Sequence, residues 1–243
     1  MTLNFAHRGF SGQFPENTML AFEKAVEAGA DGIELDVQLS CDGELVIIHD
    51  ETLNRTAGVD GFVKDYTLEQ LKAMDVSGVW GDRYGKMEIP TLMEYFQRFR
   101  DIPLITNIEL KTGVFPYKDI EKKTWDMIRE FGQEKKVIIS SFNHYSCLKF
   151  KELSPEMPCG LLEESWIIHA GEYAKNLGME FLHPVYQAVT EDYIKEAQYC
   201  GLGINTWTVN DRRAAEYLVK AGIHGVIGNH PDMVEQVLKS YRG

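Results

Sequence analysis

The sequence predicts an α/β fold, a (β/α)8 TIM barrel of parallel strands, on three observations. Short β-rich runs alternate with helix-like segments along the whole chain. An Asp-Gly turn pairs two of those runs as a hairpin, which leaves eight strands in βα order. The length of 243 residues is close to the roughly 250 usual for such barrels. An open doubly wound sheet is the competing arrangement, but no Gly-rich nucleotide turn follows the first strand run.

The strand candidates are residues 3–7, 32–39, 45–49, 104–110, 137–141, 159–162, 180–184, 202–209 and 225–228. Asn17 or Thr18 can cap a first helix that carries Met19, Phe22, Ala25 and Val26 on one face, with Gly29 as its stop. Asp42-Gly43 predicts a two-residue type I′ turn, folding 45–49 back on the end of 32–39 and setting residue 36 opposite residue 49. The interval 51–101 is too long for an ordinary βα connection. It carries Gly58, Gly61, Gly78, Gly81 and Gly85 together with Trp80, and two capping boxes, Thr67 with Gln70 and Thr91 with Glu94. We read it as an insertion over one end of the barrel, within a single domain spanning 1–243. Further on, Asp211 can cap a helix that ends before Gly222.

Composition bounds the function. At 44% hydrophobic and 26% charged residues the chain is ordinary for a soluble protein. No apolar run approaches the roughly 20 residues of a membrane span. The start, MTLNFAHRG, has no basic segment and no apolar core of a secretory signal. Cys41, Cys147, Cys159 and Cys200 form no C-x-x-C pair, so reduced thiols, a cytoplasmic location and no zinc site are expected. A net charge of −12 argues against nucleic acid and against stable attachment to anionic membranes. An anionic substrate would need local positive charge or a metal.

The chemistry concentrates at strand ends. Residues two apart in a strand share a face. Ile33, Leu35, Val37 and Leu39 then face the outer helices, and Glu34 and Asp36 point inward. The same alternation turns Ile108 and Leu110 outward, and Asn107, Glu109 and Lys111 inward. Three converging carboxylates cannot all ionise unless their repulsion is offset. Two arrangements do this: a divalent cation, where all-oxygen ligands favour Mg²⁺, Ca²⁺ or Mn²⁺ over zinc, or a salt-bridged cluster balanced by Arg8 and Lys111. Spacing alone leaves both open. Arg8 and Lys111 can equally face a bound phosphate.

His7 and His49 each end a strand run, beside Arg8 and Asp50. A lone histidine is more often structural, but two beside inward carboxylates suit an acid–base pair. His144, His169, His224 and His230 lack such neighbours and suit surface or capping roles, and His183 can line the barrel mouth. Glu16-Asn17 fits a helix cap or the wall of a pocket. Trp207 fits barrel packing or a substrate wall. No phosphate-binding G-x-x-x-x-G-K loop and no G-x-S-x-G elbow is present.

Six segments together resemble one family. They are HRGFSGQFPENTMLAF (7–22), GIELDVQLSCDGELVIIHDETLNRT (32–56), IPTLMEY (89–95), NIELK (107–111), SSFN (140–143) and NTWTVN (205–210). The chain is similar, nearly end to end, to glycerophosphodiester phosphodiesterases of the short cytoplasmic bacterial type. The resemblance implies a (β/α)8 barrel with an insertion after the second strand's hairpin. It implies metal ligands at Glu34, Asp36 and Glu109, with Mg²⁺ or Ca²⁺ as cofactor and Mn²⁺ also suited, and catalytic histidines at His7 and His49. It also implies phosphate contacts at Arg8 and Lys111 and pocket positions at Glu16 and Trp207. The expected reaction is metal-dependent hydrolysis of a glycerophosphodiester, such as glycerophosphocholine or glycerophosphoethanolamine. The products are sn-glycerol 3-phosphate and an alcohol, and analogy with the family suggests a cyclic phosphate on the way. The expected partner is a small-molecule phosphodiester, and the expected state a monomer or homodimer.

This sequence departs from the family pattern at two places. Ala57 stands where a second threonine usually follows Arg-Thr, and Asn229-His230 replaces the usual TD-x-P sequence before Pro231. A lysophospholipase D-like enzyme and a catalytically silent phosphate-binding barrel are the rival readings.

Overall fold

A computed structural model describes residues 1–242. In chain order the elements are β1 (Leu3–His7), α1 (Met19–Glu27), β2 (Gly32–Leu39), β3 (Leu45–Ile47), α2 (Asn54–Ala57), α3 (Leu68–Ala73) and α4 (Leu92–Phe99). Then follow β4 (Ile105–Leu110), α5 (Ile120–Glu130), β5 (Val137–Ser141), α6 (His144–Leu153), β6 (Cys159–Glu163) and α7 (Ala170–Asn176). The chain closes with β7 (Phe181–Pro184), α8 (Glu191–Cys200), β8 (Gly203–Thr206), α9 (Arg212–Lys220), β9 (Gly225–Gly228) and α10 (Pro231–Arg242).

Parallel pairing runs from β2 through β4, β5, β6, β7, β8 and β9 to β1, and β1 pairs back with β2. Eight strands therefore form a closed ring, and β3 lies outside it, antiparallel on the C-terminal end of β2. The expected strand count and the expected extra hairpin strand both hold. Two runs prove shorter than expected: β3 stops at Ile47, and β8 spans only Gly203–Thr206.

The hairpin register differs by one from the expected one. Val37 faces Ile47 and Leu39 faces Leu45, and Ile48 rather than His49 donates its N–H to the Asp36 carbonyl at 3.0 Å. The cause is the turn. A type I′ turn needs positive φ at both central residues, and only Gly43 has it, at 83°. The Gly43 N–H bonds the Ser40 carbonyl at 3.0 Å, giving a three-residue loop that ends in a left-handed glycine. Ser40 Oγ secures this loop by donating to Asp42 Oδ1 at 2.6 Å.

Outside the ring, Ile33, Leu35, Val37, Ile108 and Leu110 are buried against the helices. The first helix is capped by Thr18, whose Oγ1 accepts from Ala21 N, and it places Phe22 and Ala25 in this core. Both expected capping boxes form, at Thr67–Gln70 and Thr91–Glu94, and Asp211 caps α9. Inside the ring Phe5, Ile138 and Ile227 pack together, with Leu3, Ile105, Phe181 and Trp207 against them. Glycines in the strands make room for the large rings. A Cβ on Gly32 would lie 2.5 Å from the Phe5 ring, and one on Gly203 would lie 2.6 Å from Phe181.

The 51–101 interval divides in two. Leu53, Val63, Leu71, Val76 and Ile89 pack with Val46 and Ile48 into a separate small cluster. Leu92, Tyr95, Phe96 and Phe99 instead join the main core, so α4 is the barrel helix that precedes β4.

β6 ends in Glu163, which is 2% exposed and accepts one hydrogen bond, from the Tyr193 hydroxyl at 2.8 Å. Burial pushes its carboxyl up to about 7, helped by the charge of Glu196 and opposed by the Tyr193 bond. An acid with a raised folded pKa stabilises the fold fully below its unfolded pKa and loses that contribution as pH rises through the folded one. Two outcomes follow. Between pH 4.5 and 8 the Glu163→Gln chain should lose less urea resistance than the natural chain, because the amide keeps the acceptor without the charge. Gly32→Ala should lower stability by about 1–3 kcal/mol, with a smaller loss in a Phe5→Leu background, both measured by urea unfolding.

Candidate active site

The C-terminal ends of the strands present one cavity, lined by His7, Arg8, Glu34, His49, Asn107, Glu109, Phe142, Leu162, Trp207, Thr208 and Ile227. Strand parity explains its acidic wall. Glu34 and Asp36 alternate with the outward Ile33, Leu35 and Val37, and register sets Asp36 beside Glu109 across the β2–β4 pair. One carboxylate oxygen from each of Glu34, Asp36 and Glu109 lies within 4.8 Å of the others, and all three residues are buried.

Burial and the negative charges of Asp36 and Glu109 push the Glu34 carboxyl well above its ordinary range. Burial and Asp36 raise Glu109 in the same way. Burial would also raise Asp36, but the fields of His49, Arg8 and Lys111 and a hydrogen bond from Asn17 outweigh it and hold Asp36 low. Asn17 Nδ2 donates to Asp36 Oδ2 at 2.9 Å, and Arg8 Nε lies 3.4 Å from the same oxygen. Lys111 Nζ donates to Glu109 Oε1 at 2.9 Å and stands 3.9 Å from Asp36 Oδ1. Asp36 Oδ1 itself is buried with no hydrogen-bond partner. An orphaned anionic oxygen within an all-oxygen donor set fits a hard divalent cation. The salt-bridged arrangement is therefore present, and it leaves the oxygen that a cation would take.

The loop after β1 is built to bring cations back over the acids. Arg8 and Asn17 both adopt left-handed backbone, with φ of 56° and 54°, a conformation uncommon outside glycine. Arg8 N–H donates to Glu34 Oε2 at 3.0 Å, and its Nη1 donates to Glu16 Oε1 at 3.0 Å.

The two histidines are held by different partners. His7 Nδ1 lies 2.7 Å from Asn229 Oδ1. An amide oxygen can only accept, so Nδ1 carries the proton and Nε2 presents its lone pair, 4.0 Å from Glu34 Oε2. Burial, aided by the charge of Arg8, pushes the His7 ring down to about 3. His49 Nδ1 donates to the Asp50 carboxylate at 2.7 Å, which again leaves Nε2 free. His49 reaches the cavity despite the shifted hairpin because the segment is clamped. Gln38 Nε2 donates to the carbonyls of Ile48, His49 and Asp50 at 2.9–3.1 Å, and Gln38 Oε1 accepts from Tyr117 at 2.9 Å.

Trp207 lines the cavity and donates from Nε1 to the His183 carbonyl at 2.7 Å. Phe142 meets it edge-on with ring centroids 5.4 Å apart. Glu16 lies outside the lining, with its oxygens bonded to Arg8 and Arg55. His183 does not line the mouth. It is fully buried, with Nε2 3.0 Å from Asn205 Nδ2. Sequence reasoning missed Gln38, Arg55 and Phe142. The signal for Arg55 was a guanidinium five residues after Asp50 in the stretch HDETLNR.

The sequence profile of the Glycerophosphoryl diester phosphodiesterase family matches residues 7–233. A glycerophosphodiester phosphodiesterase of Caldanaerobacter subterraneus subsp. tengcongensis is 41% identical over 238 residues, 98% of each chain. A phosphodiesterase of Oleispira antarctica, solved in complex with the product sn-glycerol-3-phosphate, superimposes with a TM-score of 0.85 at 30% identity, covering 97% of this chain and 96% of that one. A glycerophosphodiester phosphodiesterase of Agrobacterium tumefaciens gives a TM-score of 0.85 at 27% identity, covering 97% and 100%. A profile match that begins at the first strand-end histidine and runs into the last helix, with a relative at that identity, leaves one conclusion: the chain belongs to the glycerophosphoryl diester phosphodiesterase family and is an enzyme of that kind.

Proposed function

We propose that the chain hydrolyses glycerophosphodiesters such as glycerophosphocholine or glycerophosphoethanolamine to sn-glycerol 3-phosphate and the free alcohol, in a metal-dependent reaction with His7 and His49 as its acid–base pair. The observation that carries this reading is the meeting, at one cavity, of a three-carboxylate cluster and two imidazole rings whose Nδ1 atoms are both engaged. Glu34, Asp36 and Glu109 would hold Mg²⁺ or Ca²⁺, with Mn²⁺ also suited. Bound there, the ion would polarise phosphate oxygens and the attacking hydroxyl.

The remaining chemistry falls to side chains. Arg8 and Lys111 stabilise the charge that develops on phosphorus. His7 is paired with a neutral amide and offers a lone pair to the nucleophile's proton, whether that nucleophile is a glycerol hydroxyl or water. His49 is paired with the Asp50 carboxylate, which stabilises an imidazolium, so His49 suits delivery of a proton to the leaving alkoxide. Phe142, Leu162 and Trp207 give the alcohol an apolar wall.

Three of the four cysteines are buried and all are free, which fits a reducing, cytoplasmic setting. Among the described residues no helix is long and apolar enough to cross a membrane. A second reading, action on lysolipids, draws support from the loop after β6, where Trp166 is 67% and Ile168 83% exposed.

Two experiments test these readings. On glycerophosphocholine, activity should vanish with EDTA and return with Mg²⁺ or Ca²⁺, and full turnover by metal-free protein would overturn the metal role. Lysophosphatidylcholine in the same assay decides the lipid reading. His7→Ala and His49→Ala should each lower kcat by about 10²-fold or more. With a p-nitrophenyl ester, whose leaving group needs no proton, His49→Ala should recover most of its rate and His7→Ala should not. Equal recovery by both would remove the assignment of roles.

A further inference from the structure

We propose that Arg55 is a positioning residue that ties the insertion to both halves of the active site, setting the aim of His49 through Asp50 and of Arg8 through Glu16; this rests on the acid–base role proposed for His49. Arg55 sits in α2, the first turn of the insertion. Its Nε donates to Asp50 Oδ2 at 2.6 Å and its Nη2 to Asp50 Oδ1 at 3.0 Å. Nη1 donates to Glu16 Oε2, and Nη2 also to Glu16 Oε1, both at 2.7 Å. One planar guanidinium therefore grips two carboxylates, each through both oxygens.

Each carboxylate is in turn joined to a group of the site. Asp50 Oδ1 accepts from His49 Nδ1, and Glu16 Oε1 accepts from Arg8 Nη1. The result is an unbroken chain from His49 through Asp50, Arg55 and Glu16 to Arg8. Without Arg55, Asp50 would turn about its own side chain and carry the His49 ring with it, and Glu16 would lose its second anchor. A lysine could not replace it, because a point charge cannot present two parallel donor pairs.

Arg55 is not what holds α2 in place. Leu53 is fully buried in the insertion's own cluster and Thr56 is nearly so, whereas the Arg55 side chain is 47% exposed. At that exposure its ion pairs add little to stability. Their consequence is orientation. The insertion also holds the loop after β1 through Tyr84, whose hydroxyl donates to the Gln13 carbonyl at 2.8 Å and whose ring lies 5.1 Å from that of Phe14. Arg55 is the link that runs on to His49 and Arg8.

The test is steady-state kinetics on glycerophosphocholine with saturating Mg²⁺ or Ca²⁺, alongside thermal melting. Arg55→Ala should lower kcat about 10–100-fold, as loss of a partner behind a site residue typically does, with the melting temperature within about 2 °C of the natural chain. Arg55→Lys should not restore the rate, and added guanidinium should restore part of it in Arg55→Ala. The double variant with Asp50→Asn should lose less than the two single losses combined, because only the Glu16–Arg8 arm of Arg55 is left to remove. An unchanged kcat in Arg55→Ala, or losses that simply add in the double variant, would overturn the proposal. So would a large fall in melting temperature with no guanidinium rescue, read again in Arg55→Gln if the alanine chain does not fold. Activity retained by His49→Ala would instead overturn the acid–base reading beneath it.

Discussion

The structure is organised around the cost of holding three carboxylates together out of water. Asp36 is completely buried, Glu34 and Glu109 nearly so, and like charges at that separation cannot all persist without compensation. The cationic and amide groups of the rim answer that problem. Lys111 emerges from the same strand as Glu109 and folds back on it. Arg8 reaches Asp36 only because its backbone turns through the left-handed region, and Asn17 does the same to deliver an amide to the same oxygen. Such backbone persists where the surroundings over-determine it. Here the hydrogen bond from Arg8 N–H to Glu34 is part of that determination.

The barrel supplies the rigidity this arrangement requires. Below the site the interior is filled by Phe5, Ile138, Ile227 and Phe181, with glycines opposite the rings. Above it the same inward parity continues into Glu34, Asp36, Asn107 and Glu109. One alternation rule therefore produces a packed plug at one end, with the bonded His183, Asn205 and His224 beside Phe181, and a polar cavity at the other. The hairpin then brings His49 across, held by a single amide. Gln38 is itself an inward residue of β2, and its grip on three successive carbonyls fixes a segment that has already left the sheet.

Much of this was legible in the sequence because it depends on short periods. Parity of two within GIELDVQL and NIELK placed the triad, and the alternation of strand runs with capped helices gave the ring. The hairpin register was not legible, because Asp-Gly serves a type I′ turn and also a type I turn followed by a left-handed glycine. The folded turn distinguishes the two, with positive φ at Gly43 alone and the Ser40 hydroxyl bonded to Asp42 and to the Glu44 N–H. The partners of the histidines escaped for another reason. His7 and Asn229 are 222 positions apart, and closure of the ring alone makes them neighbours. Asn229 had drawn notice as a departure from the family pattern, but its bond to His7 needed the folded chain. Glu16 was expected at the pocket, and its place one step behind Arg8 follows from Arg55, whose spacing of five residues from Asp50 was the one sign of it in the sequence.

Charge balance connects the acidic chain to an anionic substrate. Around the cavity five carboxylates, those of Glu16, Glu34, Asp36, Asp50 and Glu109, face three permanent cations, Arg8, Arg55 and Lys111. If all ionise, the site carries two negative charges more than positive ones, inside a protein that is already at −12. A phosphodiester would then be repelled both locally and at long range. A divalent cation held by Glu34, Asp36 and Glu109 would remove the local excess, and would free the guanidinium and ammonium groups now balancing carboxylates for phosphate oxygens. On the proposed reaction Arg8 and Lys111, which are counter-ions to the acids here, would serve in turn as ligands of the substrate. The salt-bridged cluster and the proposed metal site would then be two charge states of one arrangement.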